Sequence, residues 1–158
     1  PGAGPGAPAL RPFLILAPRH LARLPEIERL LARRGLTAAR RSGQAGPLGG
    51  AARAAAGGGA DVLLLDTLGE LAGAYELGWA GVVGGGFGAP GGHNLLEPAA
   101  RGRAVLFGTR QRSAAGEVEL LTRAGGGFAC ADADSLAARL APQANLRDRA
   151  RIPRIPCL

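Results

Sequence analysis

The residues with the clearest chemical use lie between Gly84 and Pro98: Gly84-Gly85-Gly86-Phe87-Gly88-Ala89-Pro90-Gly91-Gly92-His93-Asn94-Leu95-Leu96-Glu97-Pro98. Glycines let backbone approach a ligand closely and reach positive φ. A helix opening at His93-Asn94 would aim unpaired N–H groups, and the positive end of its dipole, at whatever occupies the loop. That is the chemistry of holding a phosphate. Glu97, one turn into such a helix, is placed to reach a sugar hydroxyl, so the stretch points to a nucleotide or nucleotide-sugar site. It also contains a literal GxGxxG, from Gly86 to Gly91. The dinucleotide fingerprint needs an acid about 20 positions on, where this chain has Gly108-Thr109-Arg110-Gln111. No Gly-Lys-Ser/Thr triplet follows either, which removes the P-loop reading.

Plainer readings compete at each residue. Glu97 precedes Arg101 by four positions and can form an ordinary helix-surface pair. His93 and Glu97 are too few ligands for a metal, and no metal or cofactor is expected. His20 follows a strand and Pro18, where a lone histidine is more often structural than catalytic. Asp66 or Thr67 as N-cap, with Glu70 three residues after Thr67, reads as a capping box. Glu117, Glu119 and the arginine-rich segments read as solvated faces.

The elements that must position these groups follow from pattern. Residues 1–12 are rich in Pro, Gly and Ala and read as an irregular terminus. Phe13 to Ala17 is a buried-strand signal. Pro25 to Arg34, with Gly35 in the C′ position, predicts a helix. Leu36 to Arg41 is a second strand, and Ser42 to Gly59 a glycine-rich excursion. Asp61 to Asp66 is the clearest strand, followed by a helix over Leu68 to Gly78. Ala80 to Val83 is the strand that enters the glycine loop, and a helix follows from about His93 to Arg101. Ala104 to Phe107 and Gly127 to Ala131 are further strands, with helices at Ala114 to Ala124 and Ser135 to Leu140. Residues 142–158 break the pattern and read as an irregular tail. Strands alternating with helices imply an α/β, doubly wound, mainly parallel sheet. In such sheets ligands bind beyond the carboxyl ends of the strands, where Pro18-Arg19-His20, Asp66-Thr67 and Gly84-Gly85 are all expected.

Bulk properties bound the partners. The 158 residues suit one domain, residues 13–141, and 47% are apolar, which excludes extensive disorder. All 19 basic residues are arginine, and the net charge of +7 suits phosphates or an anionic membrane surface. Nucleic acid is not expected, because aromatics are only 4% and no basic helix or stacking platform is present. No apolar run nears the roughly 20 residues of a membrane span, and no secretory leader pattern is present. Cys130 and Cys157 match no metal spacing, so a reduced, cytoplasmic setting is expected.

Together, Ala17-Pro18-Arg19-His20, Asp66-Thr67-Leu68-Gly69-Glu70-Leu71, Val83-Gly84-Gly85, Gly91-Gly92-His93-Asn94 and Leu96-Glu97-Pro98-Ala99-Ala100 resemble motifs of the 3-deoxy-D-manno-octulosonic acid (Kdo) transferases. They stand in that family's order over residues 13 to 140. The resemblance implies the Rossmann-like C-terminal domain of a two-domain GT-B glycosyltransferase, which moves Kdo from the donor CMP-Kdo to the lipid A precursor in lipopolysaccharide biosynthesis. It implies work at the cytoplasmic face of the inner membrane. It further implies that Arg19 and His20 meet the CMP, that the backbone of Gly84, Gly85 and Gly86 and the helix N-terminus at Gly92, His93 and Asn94 hold phosphate or the Kdo carboxylate, and that Glu97 binds the ribose. Asp66, Gly69 and Glu70 would shape the cleft wall. The family's catalytic base lies in its N-terminal half, with the membrane anchor and the acceptor site, so no catalytic residue is expected in this chain and it is expected to be inactive alone. The family usually has Ser at Gly86, Pro at Leu95 and an Asn-Phe pair near Ser113-Ala114. The alternatives are another GT-B enzyme, a UDP-sugar transferase or epimerase, and a non-catalytic remnant that keeps the fold without binding nucleotide.

Overall fold

The computed structural model describes residues 12–88 and 94–141. The chain divides between Leu71 and Ala72 into two compact units, each built on a three-stranded, all-parallel sheet. The first sheet has the order β1 (Leu14–Leu16), β3 (Val62–Leu64), β2 (Ala38–Arg40). The second has the order β4 (Ala80–Val83), β5 (Ala104–Gly108), β6 (Gly127–Cys130). The helices are α1 (Leu24–Arg33), α2 (Leu48–Gly57), α3 (Leu71–Leu77), α4 (Leu96–Ala100), α5 (Ala115–Arg123) and α6 (Ala133–Leu140). Parallel strands joined through helices are the expected α/β pattern. The hydrogen bonding, however, falls into two sheets of three strands.

In the first unit β3 is central and fully buried, whereas β1 is a half-exposed edge: Leu14 keeps 48% of its surface. Val62 and Leu64 point to one face and pack with Leu24 of α1, with Ile27 and Leu31 beside them. This is the period of two on a strand meeting the 3.6-residue period of a helix. α1 ends as its sequence predicts, with Gly35 N–H bonding Ala32 C=O and Leu36 N–H bonding Leu31 C=O, the paired bonds of a Schellman motif. The span Ser42 to Gly59 is a correction: it contains the ten-residue α2. Leu48, Ala51, Ala52 and Ala55 are its buried face, at i, i+3, i+4 and i+7. Alanine carries that stripe, so glycine content masked an amphipathic period.

The second unit is covered on both faces. Val105 and Phe107 of β5 pack with Val83, Leu95, Ala99, Ala114 and Leu121 from β4, α5 and the α4 region. The alternate residues Ala104 and Leu106 pack with Phe128 and Cys130, beside Leu136 and Leu140 of α6. Burying each large side chain contributes about 1.5–3 kcal/mol, so β5, buried along its whole length, anchors the unit. α6 starts two residues earlier than expected because Asp132 caps it: Ser135 N–H donates to the Asp132 carboxylate at 2.8 Å, and Ser135 Oγ accepts from Asp132 N–H at 3.1 Å. α3 starts three residues later than expected. No helix among the described residues is long and apolar enough to cross a membrane.

Candidate nucleotide site

Each unit presents polar residues just beyond its strand ends. Beyond β3, Asp66 accepts from Ser42 N–H at 2.8 Å and from Ser42 Oγ at 2.6 Å. Burial opposes ionisation of Asp66, but the two Ser42 bonds, the Asp66 amide and the Arg40 charge together outweigh it and hold the carboxyl below its ordinary range. Glu70 accepts from the Thr67 hydroxyl and from Arg41, at 3.1 Å from Nε and 2.9 Å from Nη2. The Thr67 hydroxyl first, and Arg41 second, lower the Glu70 carboxyl below its usual range. Arg41 also donates to the carbonyls of Gln44, at 2.7 Å, and Gly46, at 2.9 Å. The turn between them needs Gly69, at φ +82°. The expected capping box does not form, because α3 begins after Glu70. Asp66 and Glu70 instead tie the β3 end to the connection between β2 and α2.

Arg19 and His20 leave β1 on an exposed segment. The His20 carbonyl accepts from Arg23 N–H at 3.0 Å and opens a short 3-10 turn, Leu21–Arg23. Among the described residues no hydrogen bond or ion pair holds the side chain of Arg19 or of His20.

Beyond β4 the backbone enters the glycine loop. Gly84 is exposed, Gly85 and Gly86 are buried, and Gly86 has φ +86°. Three of the loop carbonyls are engaged by the connection after β5. Gln111 Nε2 donates to Gly85 C=O at 2.6 Å, Arg110 N–H to Gly86 C=O at 3.1 Å, and Arg110 Nη1 to Gly88 C=O at 3.0 Å. A Cβ on Gly108 would lie 2.2 Å from the Gly86 carbonyl carbon, and one on Gly86 would lie 2.5 Å from Gln111 Nε2. Glycine at both positions is what allows the two backbones to touch.

The helix after the loop differs from expectation. It starts at Leu96, with Leu95 as N-cap, rather than at His93-Asn94. Two of its first amides are already taken: Leu95 N–H donates to Glu117 Oε2 at 2.8 Å, and Leu96 N–H to Asn94 Oδ1 at 3.0 Å. Asn94 therefore turns the chain into α4. Glu117 is no solvated residue but a partner for the helix start from 22 positions away. Gly92 and His93 lie outside the described residues. Glu97 sits half-buried in the first turn of α4. Its alternative pairing is not made, because Arg101 pairs with Glu76. Among the described residues no hydrogen bond or ion pair engages the Glu97 carboxylate. Its charge reaches Tyr75, whose hydroxyl is pushed up first by burial and then by Glu97.

Arg110, Gln111 and Glu117 were not among the expected site residues. The only local signal for Gln111 was a polar residue soon after a buried strand; its partner Gly85 is 26 positions away.

No protein-family profile matches the chain. A 3-deoxy-D-manno-octulosonic acid transferase of Bordetella pertussis is 41% identical over 98 residues, which are 62% of this chain and 21% of that one. The protein of the same description in Aquifex aeolicus is 38% identical over 80 residues, 51% of this chain and 23% of that one. A bifunctional glycosyltransferase/methyltransferase of Fusobacterium nucleatum is 37% identical over 95 residues, 60% of this chain and 14% of that one. The chain thus spans no more than about a quarter of the length of these curated relatives. Among solved structures, the C-terminal CMP-Kdo binding domain of WaaA from Acinetobacter baumannii matches with a TM-score of 0.67 and 29% identity, over 87% of this chain and 71% of that one. The resemblance read from the motifs is borne out at both levels: the chain is related in sequence to the Kdo transferases, which are glycosyltransferases, and has the α/β fold of a C-terminal domain of that family.

Proposed function

We propose that residues 13–141 form the donor-binding domain of a GT-B glycosyltransferase that moves Kdo from CMP-Kdo to the lipid A precursor. The observation that carries this reading is the end of β4. A loop with three carbonyls tied back stands there, and α4 after it carries Glu97, a half-buried carboxylate that no group among the described residues claims. In this reading the Gly84–Gly86 backbone meets the phosphate or the Kdo carboxylate, as do Gly92, His93 and Asn94. Glu97 accepts from the ribose hydroxyls. In the first unit Arg19 and His20 keep exposed side chains, unclaimed among the described residues and suited to an anion, Arg19 as a fixed charge. Asp66, Gly69 and Glu70 hold their loop in shape.

Catalysis here rests on electrostatics. As the glycosidic bond to phosphate breaks, the departing CMP gains negative charge, and preorganised N–H donors stabilise it more than the ground state. No residue of the chain is assigned as general base; in the family the chain resembles, that carboxylate belongs to the N-terminal half. The net charge of +7 supports work beside an anionic surface, at the cytoplasmic face of the inner membrane. Titration with CMP, UDP and NAD tests the reading. CMP is expected to bind best. A preference for UDP turns the assignment to another GT-B enzyme, and no binding of any of the three supports a non-catalytic module.

A further inference from the structure

Gln111 is the one buried polar or charged residue among the described core positions, with 7% of its surface exposed. Its Nε2 is 2.6 Å from the Gly85 carbonyl, which fixes the amide orientation, since the reverse would set two oxygens against each other. Its Oε1 is then buried with no partner. Such an atom is costly, so Gln111 is not explained by stability alone. A methionine would lose the bond to Gly85 and also the orphaned oxygen, leaving one unpartnered buried oxygen in either case. What glutamine supplies and methionine cannot is the direction of the Gly85 carbonyl.

That direction has a consequence on the other side of the peptide. In a planar trans peptide the C=O and the following N–H point opposite ways, and no cis peptide occurs among the described residues. With the Gly85 carbonyl turned to Gln111, the N–H of Gly86 points away from the Gln111 side chain. With the Gly86 carbonyl turned to Arg110 N–H, the N–H of Phe87 points away from Arg110. Gly86 at φ +86° lets the two successive N–H groups converge, the arrangement of an anion-binding nest. Neither N–H has a backbone partner among the described residues. We propose that Gln111 is a positioning residue: by holding the Gly85 carbonyl it aims the Gly86 and Phe87 amides at the phosphate of a nucleotide. This rests on the reading of the loop as a nucleotide site.

The variant Gln111→Met tests it in the full chain, with two readouts. In the unliganded protein, amide shifts of Gly85 to Gly88 should move and their hydrogen exchange quicken, while β5 and α5 are unchanged. With ligands, the preference for CMP over cytidine should fall about fivefold to tenfold, the worth of one aimed hydrogen bond, while cytidine affinity stays constant. Thermal stability should change little. Unchanged loop amides, or an unchanged CMP-to-cytidine ratio in a variant that retains cytidine binding, overturn the proposal. If the unsubstituted protein itself does not prefer CMP to cytidine, the phosphate reading of the loop fails, and the proposed aim of Gln111 fails with it. The loop amides then show whether Gln111 holds Gly85 at all.

Discussion

The polar residues after β3 and those after β4 look alike in sequence, each a short run with glycine and acid behind an apolar strand, but the structure uses them oppositely. After β3 both acids are consumed within the protein: Asp66 by Ser42, Glu70 by Thr67 and Arg41. After β4 three carbonyls are consumed and the acid is not: the Gly85, Gly86 and Gly88 carbonyls are tied back, and Glu97 has no hydrogen-bond or ion-pair partner among the described residues. One end is a joint, and the other is the end we propose receives the ligand.

The largest effect expected comes from breaking the contact that shapes the second end. In Gly108→Ala the new Cβ would meet the Gly86 backbone at 2.2 Å, where nothing flexible can yield. A loss of about 3 kcal/mol in urea denaturation is expected. Gly84→Ala, whose Cβ meets nothing within 4 Å, should stay within about 0.5 kcal/mol. A similar cost at both positions would remove the distinction between the packed and open sides of the loop.

Next comes the joint itself. Asp66→Ala removes the acceptor of two Ser42 bonds and should cost about 1–3 kcal/mol. The same carboxylate gives the first unit a pH dependence. Its folded pKa lies below the unfolded value, so its contribution is full above the unfolded value and is lost as pH falls through the folded one. Denaturation midpoints should therefore drop on acidification through the carboxylate range, and Asp66→Ala should flatten that drop. Glu70, lowered by Thr67 and Arg41, acts in the same direction. A smaller effect is expected from Glu117→Ala, about 1 kcal/mol, because it strips the buried Leu95 N–H of its acceptor. An unchanged stability would mean that α4 needs no support from α5.

Most strands and helices were legible because their hydrophobic periods were carried by large residues. β4 spans Ala80–Val83 as expected, and α1 closes at Gly35. α2 was hidden because alanine carries its buried face and glycines interrupt it. In the candidate site, the glycine loop and Glu97 could be picked out from local residue types. What could not be read were the long-range partners. Glu117 reaches Leu95 across 22 positions and Gln111 reaches Gly85 across 26, and nothing local distinguishes either from a solvated polar residue. Those partners also moved the helix start: Asn94 turns out to accept from Leu96 rather than to stand inside the helix.

The difference between the two ends is tested most directly by the CMP affinity of Glu97→Ala set beside that of Asp66→Ala, both measured by calorimetry on folded protein. Glu97→Ala should leave stability within about 0.5 kcal/mol, since no partner among the described residues is lost, yet weaken CMP about tenfold, the worth of one or two bonds to a carboxylate. Asp66→Ala should do the reverse, losing stability while keeping CMP affinity within about twofold once corrected for the folded fraction. Equal CMP affinity in Glu97→Ala and the unsubstituted protein would contradict the assignment of the β4 end as the nucleotide site.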